Sequence, residues 1–299
     1  MRRVERPLLD VRNGRPDDFD VSYEHITYEV DDPVATITLN RPEKLNAWTE
    51  RMGREVRHAV AQAEGDPRAV AIVLTGAGRG FCAGADMQLL SSLAASGNLG
   101  SEHDPALAAE PGNAAMAAFR GAYSYFPSVP KPVIAAINGP CAGMAVPIAL
   151  FCDLRFCSDR ASFITAFSRR GLIAEWGVSW ILPRLIGPSR ALDLLLSSRS
   201  VDAAEAERIG LVNRVIPHDE LLHATRAYVI ELATYCSPTS MAVMKREIYE
   251  HLSETLDRAE ADALGLMAES IGRPDFAEGV AAFLEKRPPR FARVGTKGA

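Results

Sequence analysis

The sequence predicts an α/β fold, and three observations carry that prediction. Val70–Leu74 and Val133–Ile137 are short apolar runs without alternation, and their length and β-branched content suit strands buried on both faces. A strand pattern and a helical pattern precede the first run, which gives the strand–helix–strand order of an α/β core. Beyond Asp202 the patterns turn helical, so a helical C-terminal region follows the sheet-forming part.

Residues 1–22 are rich in Arg, Asp, Pro and Gly and read as a loosely ordered tail. Val34-Ala35-Thr36-Ile37-Thr38-Leu39 has strand propensity and ends at Asn40-Arg41-Pro42. Thr49 is a candidate N-cap for a helix with Met52, Val56, Ala59, Val60 and Ala63 on one face, and Gly65-Asp66-Pro67 stops it. Residues 87–130 then interrupt the pattern with Ala-, Ser- and Gly-rich sequence, a long connection of the kind that is usually functional or mobile. Asp202-Ala203-Ala204-Glu205 has capping-box spacing, with Gly210 as the stop. Helical patterns fit Glu220–Tyr235, Pro238–Leu252 and, less regularly, Leu256–Ser270; Ser237-Pro238 supplies an N-cap and first residue for the second. The expected organisation is a tail (1–22), a core (23–220, with the 87–130 insertion) and a C-terminal helical region (221–299).

The formal net charge of −5 and a pI near 5.8 argue against nucleic acid and anionic membrane as partners. No stretch approaches the ~18 consecutive apolar residues of a membrane helix. No apolar run follows the basic start Met1-Arg2-Arg3, so a secretory signal is not expected. Cys82, Cys141, Cys152, Cys157 and Cys236 are odd in number and lack CxxC spacing, which points to free thiols in a reducing cytoplasm. His25, His58, His103, His218, His223 and His251 show neither HxxxH nor HExxH spacing, so no metal site is expected. The chain has no GxSxG and no P-loop.

Two small-residue turns carry the functional signal. Thr75-Gly76-Ala77-Gly78-Arg79-Gly80-Phe81-Cys82 follows a strand and nearly matches the TGxxxGxG turn of short-chain dehydrogenases. Cys82 in place of the last Gly, a start only at Thr75 and the absence of any Tyr with Lys four residues later count against a dinucleotide site. Extended to Gly80-Phe81-Cys82-Ala83-Gly84-Ala85-Asp86, the run lets another molecule approach the main chain closely. Asp86-Met87-Gln88-Leu89-Leu90 can begin a helix and leave N–H groups near Ala85 to face a ligand. A plain strand-to-helix connection accounts for these residues equally well. The second turn lies in Lys131-Pro132-Val133-Ile134-Ala135-Ala136-Ile137-Asn138-Gly139-Pro140-Cys141-Ala142-Gly143-Met144-Ala145, and an apolar helix through Leu150 follows it. Two such turns can aim two N–H donors at one oxygen and hold an oxyanion, at ~2.7–4 kcal/mol per donor.

Asn40-Arg41-Pro42-Glu43-Lys44-Leu45-Asn46-Ala47, the FCAGAD and KPVIAAING runs, and Cys152-Asp153-Leu154-Arg155 together resemble the enoyl-CoA hydratase/isomerase (crotonase) family. Gly210-Leu211-Val212-Asn213-Arg214-Val215 and Phe283-Leu284-Glu285-Lys286-Arg287 continue the resemblance, in order, from about Tyr23 to Phe291. It implies a crotonase-like spiral of ββα repeats and a C-terminal helical region used for trimer packing, in a homotrimer or homohexamer. It also implies an acyl-CoA substrate whose thioester carbonyl sits between two backbone N–H groups, which match Ala85 and Met144. Coenzyme A is then part of the substrate, and no separate cofactor is expected. Lys44, Ala83, Asp86 and Lys286 are the candidates for contacts to the coenzyme A portion; Lys44, Lys286 and Arg287 read equally well as solvated charges.

Both positions of the hydratases' glutamate pair depart from the family pattern: the first falls on Pro147 and the second on Phe167, and neither can move a proton. Gly171-Leu172-Ile173-Ala174-Glu175-Trp176-Gly177 is similar to the segment in which peroxisomal-type 3-enoyl-CoA to 2-enoyl-CoA isomerases carry a single catalytic Glu. An acid flanked by Ile173, Trp176 and Val178 should have a raised pKa. The plainer alternative is a solvated Glu175 or one paired with Arg169 or Arg170. The expected activity is therefore enoyl-CoA isomerisation through Glu175. The alternatives are an enoyl-CoA hydratase and a non-catalytic acyl-CoA-binding scaffold.

Overall fold

The alternation of side chains along Val34–Leu39 sends Ala35, Ile37 and Leu39 to one face of a sheet and Val34 to the other, where each meets a separate apolar layer. The computed structural model describes residues 22–97 and 105–294. The expected tail, Ser22 apart, and His103 lie outside the described residues. The first described elements are β1 (Ile26–Asp31) and β2 (Val34–Leu39), an antiparallel hairpin pairing Ile26 with Leu39. Helix α1 (Glu50–Gly65) follows, capped at Thr49 as expected, whose Oγ1 accepts from the Met52 N–H at 3.0 Å. Strand β3 (Ala71–Gly76) pairs parallel to β2, starting one residue later and ending two residues later than its apolar run predicts. Helix α2 (Met87–Ser96) occupies the start of the 87–130 stretch, and short 3-10 turns occupy part of the rest.

Strand β4 (Val133–Ile137) is parallel to β3. After it come β5 (Cys141–Ala142), α3 (Ala145–Phe151), β6 (Leu154–Ser158) and β7 (Ser162–Ile164). Helices α4 (Val178–Ile186) and α5 (Pro188–Ser197), strand β8 (Val201–Asp202), helix α6 (Ala203–Arg208) and strand β9 (Arg214–Ile216) complete the sheet-forming part. Asp202 caps α6 by accepting from the Glu205 N–H at 2.8 Å, as its capping-box spacing predicts. Among the described residues the main sheet runs β1-β2-β3-β4-β6-β9, parallel beyond the first hairpin, and β5-β7-β8 form a second small sheet.

Strands β3 and β4 sit in the middle of the main sheet with every residue buried, which is why they read as unbroken apolar runs. Ile72, Leu74, Val133, Ala135 and Ile137 face Met52, Val56 and Val60 of α1 and the apolar side chains of α3 and α4. Ala71, Val73, Ile134 and Ala136 face the opposite layer with Leu221 and Val229. Those two belong to α7 (Leu221–Tyr235), so the first helix of the C-terminal region covers the second face of the sheet.

Helices α8 (Pro238–His251), α9 (Leu256–Ile271) and α10 (Pro274–Glu285) follow. Helix α8 is tied to the core through Asp153, which accepts from Lys245 Nζ (2.6 Å), the Tyr249 hydroxyl (3.0 Å) and the Val133 N–H (2.7 Å). Asp153 thus joins α8 to the start of β4. All five cysteines are free thiols, four of them buried, and burial pushes the Cys82 and Cys152 thiols up to about 12. No helix among the described residues is long and apolar enough to cross a membrane.

Candidate active site

The glycine-rich run after β3 keeps its shape because two buried asparagines bind its main chain. Asn46 Nδ2 donates to the carbonyls of Ala77 (2.9 Å) and Gly80 (2.8 Å). Asn138 Nδ2 donates to Gly78 O (2.9 Å), and its Oδ1 accepts from the Gly76 N–H (3.2 Å). An amide carries both donors and acceptors, so one side chain can satisfy several main-chain groups of a turn. These are the asparagines of the NRPEKLNA and KPVIAAING runs, whose spacing gives no hint of this bracing role.

The bracing delivers residues 83–86 to the edge of the sheet. The Trp48 N–H donates to Gly84 O (2.7 Å) and Trp48 O accepts from the Asp86 N–H (2.8 Å). A parallel bridge in this register uses the groups on either side of Ala85 and leaves the Ala85 N–H unused. On the neighbouring turn the Ala142 N–H donates to Cys82 O (3.0 Å) and the Gly143 N–H to Ile164 O (2.9 Å). Met144 comes next, at the N-cap of α3, where an N–H has no intrahelical partner. Among the described residues, neither the Ala85 nor the Met144 N–H has an acceptor.

Both residues line one cavity of about 370 Å³, together with Ala83, Phe167, Glu175 and Trp176. Leu90, Leu93 and Ala94 of α2 form part of its apolar wall, so the start of the 87–130 stretch contributes to the site. The volume falls within the ~300–1,000 Å³ range of small-molecule sites. Among the described lining residues Glu175 is the sole carboxylate, and it forms no ion pair with Arg169 or Arg170. Burial alone raises its carboxyl above the ordinary 4.5. Glu175 stands on the turn into α4, next to Trp176, whose backbone is left-handed at φ +54°. Such a conformation in a bulky residue persists only where the surroundings enforce it. The ring of Tyr123 does so in part, meeting the indole edge-to-face at 4.9 Å between centroids.

The structure therefore gathers the three expected reacting groups, Ala85, Met144 and Glu175, with Ala83 beside them. Asp86 is engaged within the chain. That carboxylate caps α2 by accepting from the Gln88 N–H (2.9 Å) and pairs with Arg41 Nη2 (3.0 Å), so its oxygens are committed within the chain. Lys44 lies half exposed with Nζ 3.9 Å from the same carboxylate, outside the cavity lining. Lys286 is exposed in a left-handed conformation at the end of α10, also outside that lining. Phe167 is buried and lines the cavity, whereas Pro147 is buried in the first turn of α3 and does not.

The chain matches the enoyl-CoA hydratase/isomerase family over residues 29–294. It is 38% identical over 276 residues, 91% of this chain and 99% of the relative, to a protein of Rhodobacter capsulatus described as a probable enoyl-CoA hydratase. It is 34% identical over 272 residues, 90% of this chain and 98% of the relative, to the 1,2-epoxyphenylacetyl-CoA isomerase of Escherichia coli. Among solved structures, an enoyl-CoA hydratase/isomerase from Mycobacterium paratuberculosis superposes with a TM-score of 0.78 at 30% identity, covering 90% of this chain and 99% of that one.

Proposed function

Because the chain belongs to the enoyl-CoA hydratase/isomerase (crotonase) family, we propose that it is an enoyl-CoA isomerase in which Glu175 moves the proton. The observation that carries this reading is Glu175 itself. It is the sole carboxylate among the described residues of the cavity, free of ion pairs and held by burial above its ordinary range. A carboxylate so desolvated is a stronger base than one in water, and its conjugate acid is a usable donor nearer neutral pH.

In the proposed reaction the thioester oxygen of a 3-enoyl-CoA accepts hydrogen bonds from the Ala85 and Met144 N–H groups. Glu175 takes a proton from C2, the negative charge spreads onto the thioester oxygen, and the protonated Glu175 returns a proton at C4 as the double bond moves to C2–C3. Each oxyanion donor contributes ~2.7–4 kcal/mol, and the acid–base step ~10²–10⁴-fold in rate. A relative named 1,2-epoxyphenylacetyl-CoA isomerase supports isomerisation of an acyl-CoA only in the general sense, since the group it is named for is an epoxide. Relatives named as hydratases favour a second reading, addition of water. Against it, Pro147 and Phe167 match the hydratase acid positions, and no second carboxylate lies among the described residues of the cavity to orient the water.

An ultraviolet assay with 3-hexenoyl-CoA and crotonyl-CoA tests the proposal. Isomerisation without hydration is the expected result, lost in Glu175→Gln. Hydration of crotonyl-CoA supports the second reading, and tight acyl-CoA binding without turnover supports a scaffold role. Isomerase activity that survives Glu175→Gln assigns the proton transfer to another group.

A homotrimer or homohexamer is part of the same proposal. Helices α7 to α10 expose Ile230, Met244, Ile248, Leu264, Phe276 and Phe283, the last 83% exposed, and apolar side chains in such number on neighbouring helices suit subunit contact. Sedimentation separates the two assemblies from a monomer and from each other. Lys44 and Lys286 stay candidates for the coenzyme A phosphates. Five free thiols support a reducing compartment, the cytoplasm.

A further inference from the structure

A second cavity, of about 780 Å³, adjoins the first, and Trp176 is the residue that lines both. Glu175 faces the first cavity and Gly177 lines the second, so the turn into α4 runs between them with the indole as the shared wall. The second cavity has a buried apolar base and an open polar rim. Met116, Phe119 and Phe151 are buried, while Glu254, Arg258 and Asp262 at the rim have side chains 40%, 76% and 51% exposed. An alkyl chain could thus leave the first cavity along an apolar wall and end towards solvent.

We infer that Trp176 sets the acyl length this enzyme accepts, by closing the acyl cavity off from the second one, which would take the distal part of a longer alkyl chain. The inference rests on the acyl-CoA reading above but not on isomerisation. Trp176 is held by contacts only: its buried Nε1–H has no acceptor among the described residues, and its ring touches Tyr123 edge-to-face. Replacing it with a small residue removes the wall without leaving an unpaired partner behind. Its neighbour Glu175 keeps its place because the turn is fixed by the Val178 N–H donating to Glu175 O at 3.0 Å.

Calorimetric titration with saturated acyl-CoA esters from butanoyl to tetradecanoyl tests this, since saturated chains have no double bond to shift. In the wild type, affinity rises about fourfold per methylene, as burial of each CH2 provides, and then levels off. In Trp176→Ala the rise continues to longer chains, and Trp176→Leu, which keeps more of the apolar packing, moves the level-off in the same direction. Ala118→Trp, which fills the second cavity from its rim, leaves short-chain binding unchanged and cancels the gain when combined with Trp176→Ala. An unchanged level-off in both Trp176 variants, a wild type without a level-off, or a gain that Ala118→Trp does not cancel overturns the inference. Absence of binding by any acyl-CoA overturns the functional reading instead, and binding without isomerisation leaves the inference standing.

Discussion

Gly84 and Gly143 meet across the two turns of the site: a Cβ on Gly84 would lie 3.6 Å from the Gly143 Cα and 2.9 Å from the Ala142 carbonyl oxygen. Both adopt positive φ, +95° and +51°. Each stands immediately before a residue whose N–H is unused, so their contact sets how closely the Ala85 and Met144 donors converge.

Gly84→Ala should therefore damage turnover more than folding. The added methyl group crowds the Ala142 carbonyl in a conformation that Ala disfavours, and the two turns must separate. Loss of one of the two proposed oxyanion donors corresponds to a fall of ~10²–10³ in kcat. Steady-state kinetics with far-ultraviolet circular dichroism as a folding control checks this, and an unchanged kcat would show that the spacing of the turns is immaterial.

The pH profile should bear the mark of Glu175. The proposed base acts in the carboxylate form, so kcat/KM should rise with pH through a value above the ordinary 4.5, and Glu175→Gln should remove that limb along with the activity. The stability effect has the opposite sense. The folded state keeps a proton that the unfolded chain has already released, so this group makes folding less favourable as pH rises from 4.5 through its raised value. Glu175→Gln should melt at a higher temperature than the wild type above that window, and an equal or lower Tm at pH 7 would contradict the desolvation argument.

Asp86 should behave as a positioning residue rather than a contact to coenzyme A. The Gln88 N–H, with the Arg41 guanidinium, holds its carboxyl below the ordinary 3.8, so its contribution to stability is present above that value and is lost as pH falls through the lowered one. Asp86→Ala removes a helix cap worth ~0.5–2 kcal/mol and loosens the turn that presents the Ala85 N–H. The expected result is a lower kcat with little change in coenzyme A affinity. Asp86→Asn, which restores the cap without the charge, should recover part of the kcat. A selective loss of coenzyme A binding in Asp86→Ala would return the residue to the ligand.

Lys245→Ala should destabilise the fold by about 3–5 kcal/mol, the cost of leaving a buried carboxylate without its partner. The Asp153 and Lys245 side chains are 16% and 9% exposed, and Lys245 Nζ also donates to the carbonyls of Phe126 (2.9 Å) and Lys131 (3.0 Å). Urea unfolding of Lys245→Ala, Asp153→Asn and the double variant measures the coupling. Additive losses would show that α8 is not anchored through this pair.

Much of the framework is local and could be read from the chain. Val34–Leu39 and Val133–Ile137 form strands with the expected bounds, and Thr49, Asp202 and Ser237 cap the helices that they precede. Caps and apolar periodicity depend on neighbours within a turn or two, which a sequence displays directly. The short strands β5, β7 and β8 were not legible, because two or three residues carry no period and owe their conformation to distant partners. Motif resemblance pointed to Ala85, Met144 and Glu175, and the sequence alone determined that such residues exist in this order. Their convergence on one cavity was decided only by tertiary structure, through Asn46 and Asn138 bracing a loop some thirty to sixty residues distant. The commitment of Asp86 to Arg41 and to its own helix, and the indole of Trp176 standing between two cavities, were decided the same way. Each depends on which distant groups a side chain meets, and that is fixed by packing rather than by spacing along the chain.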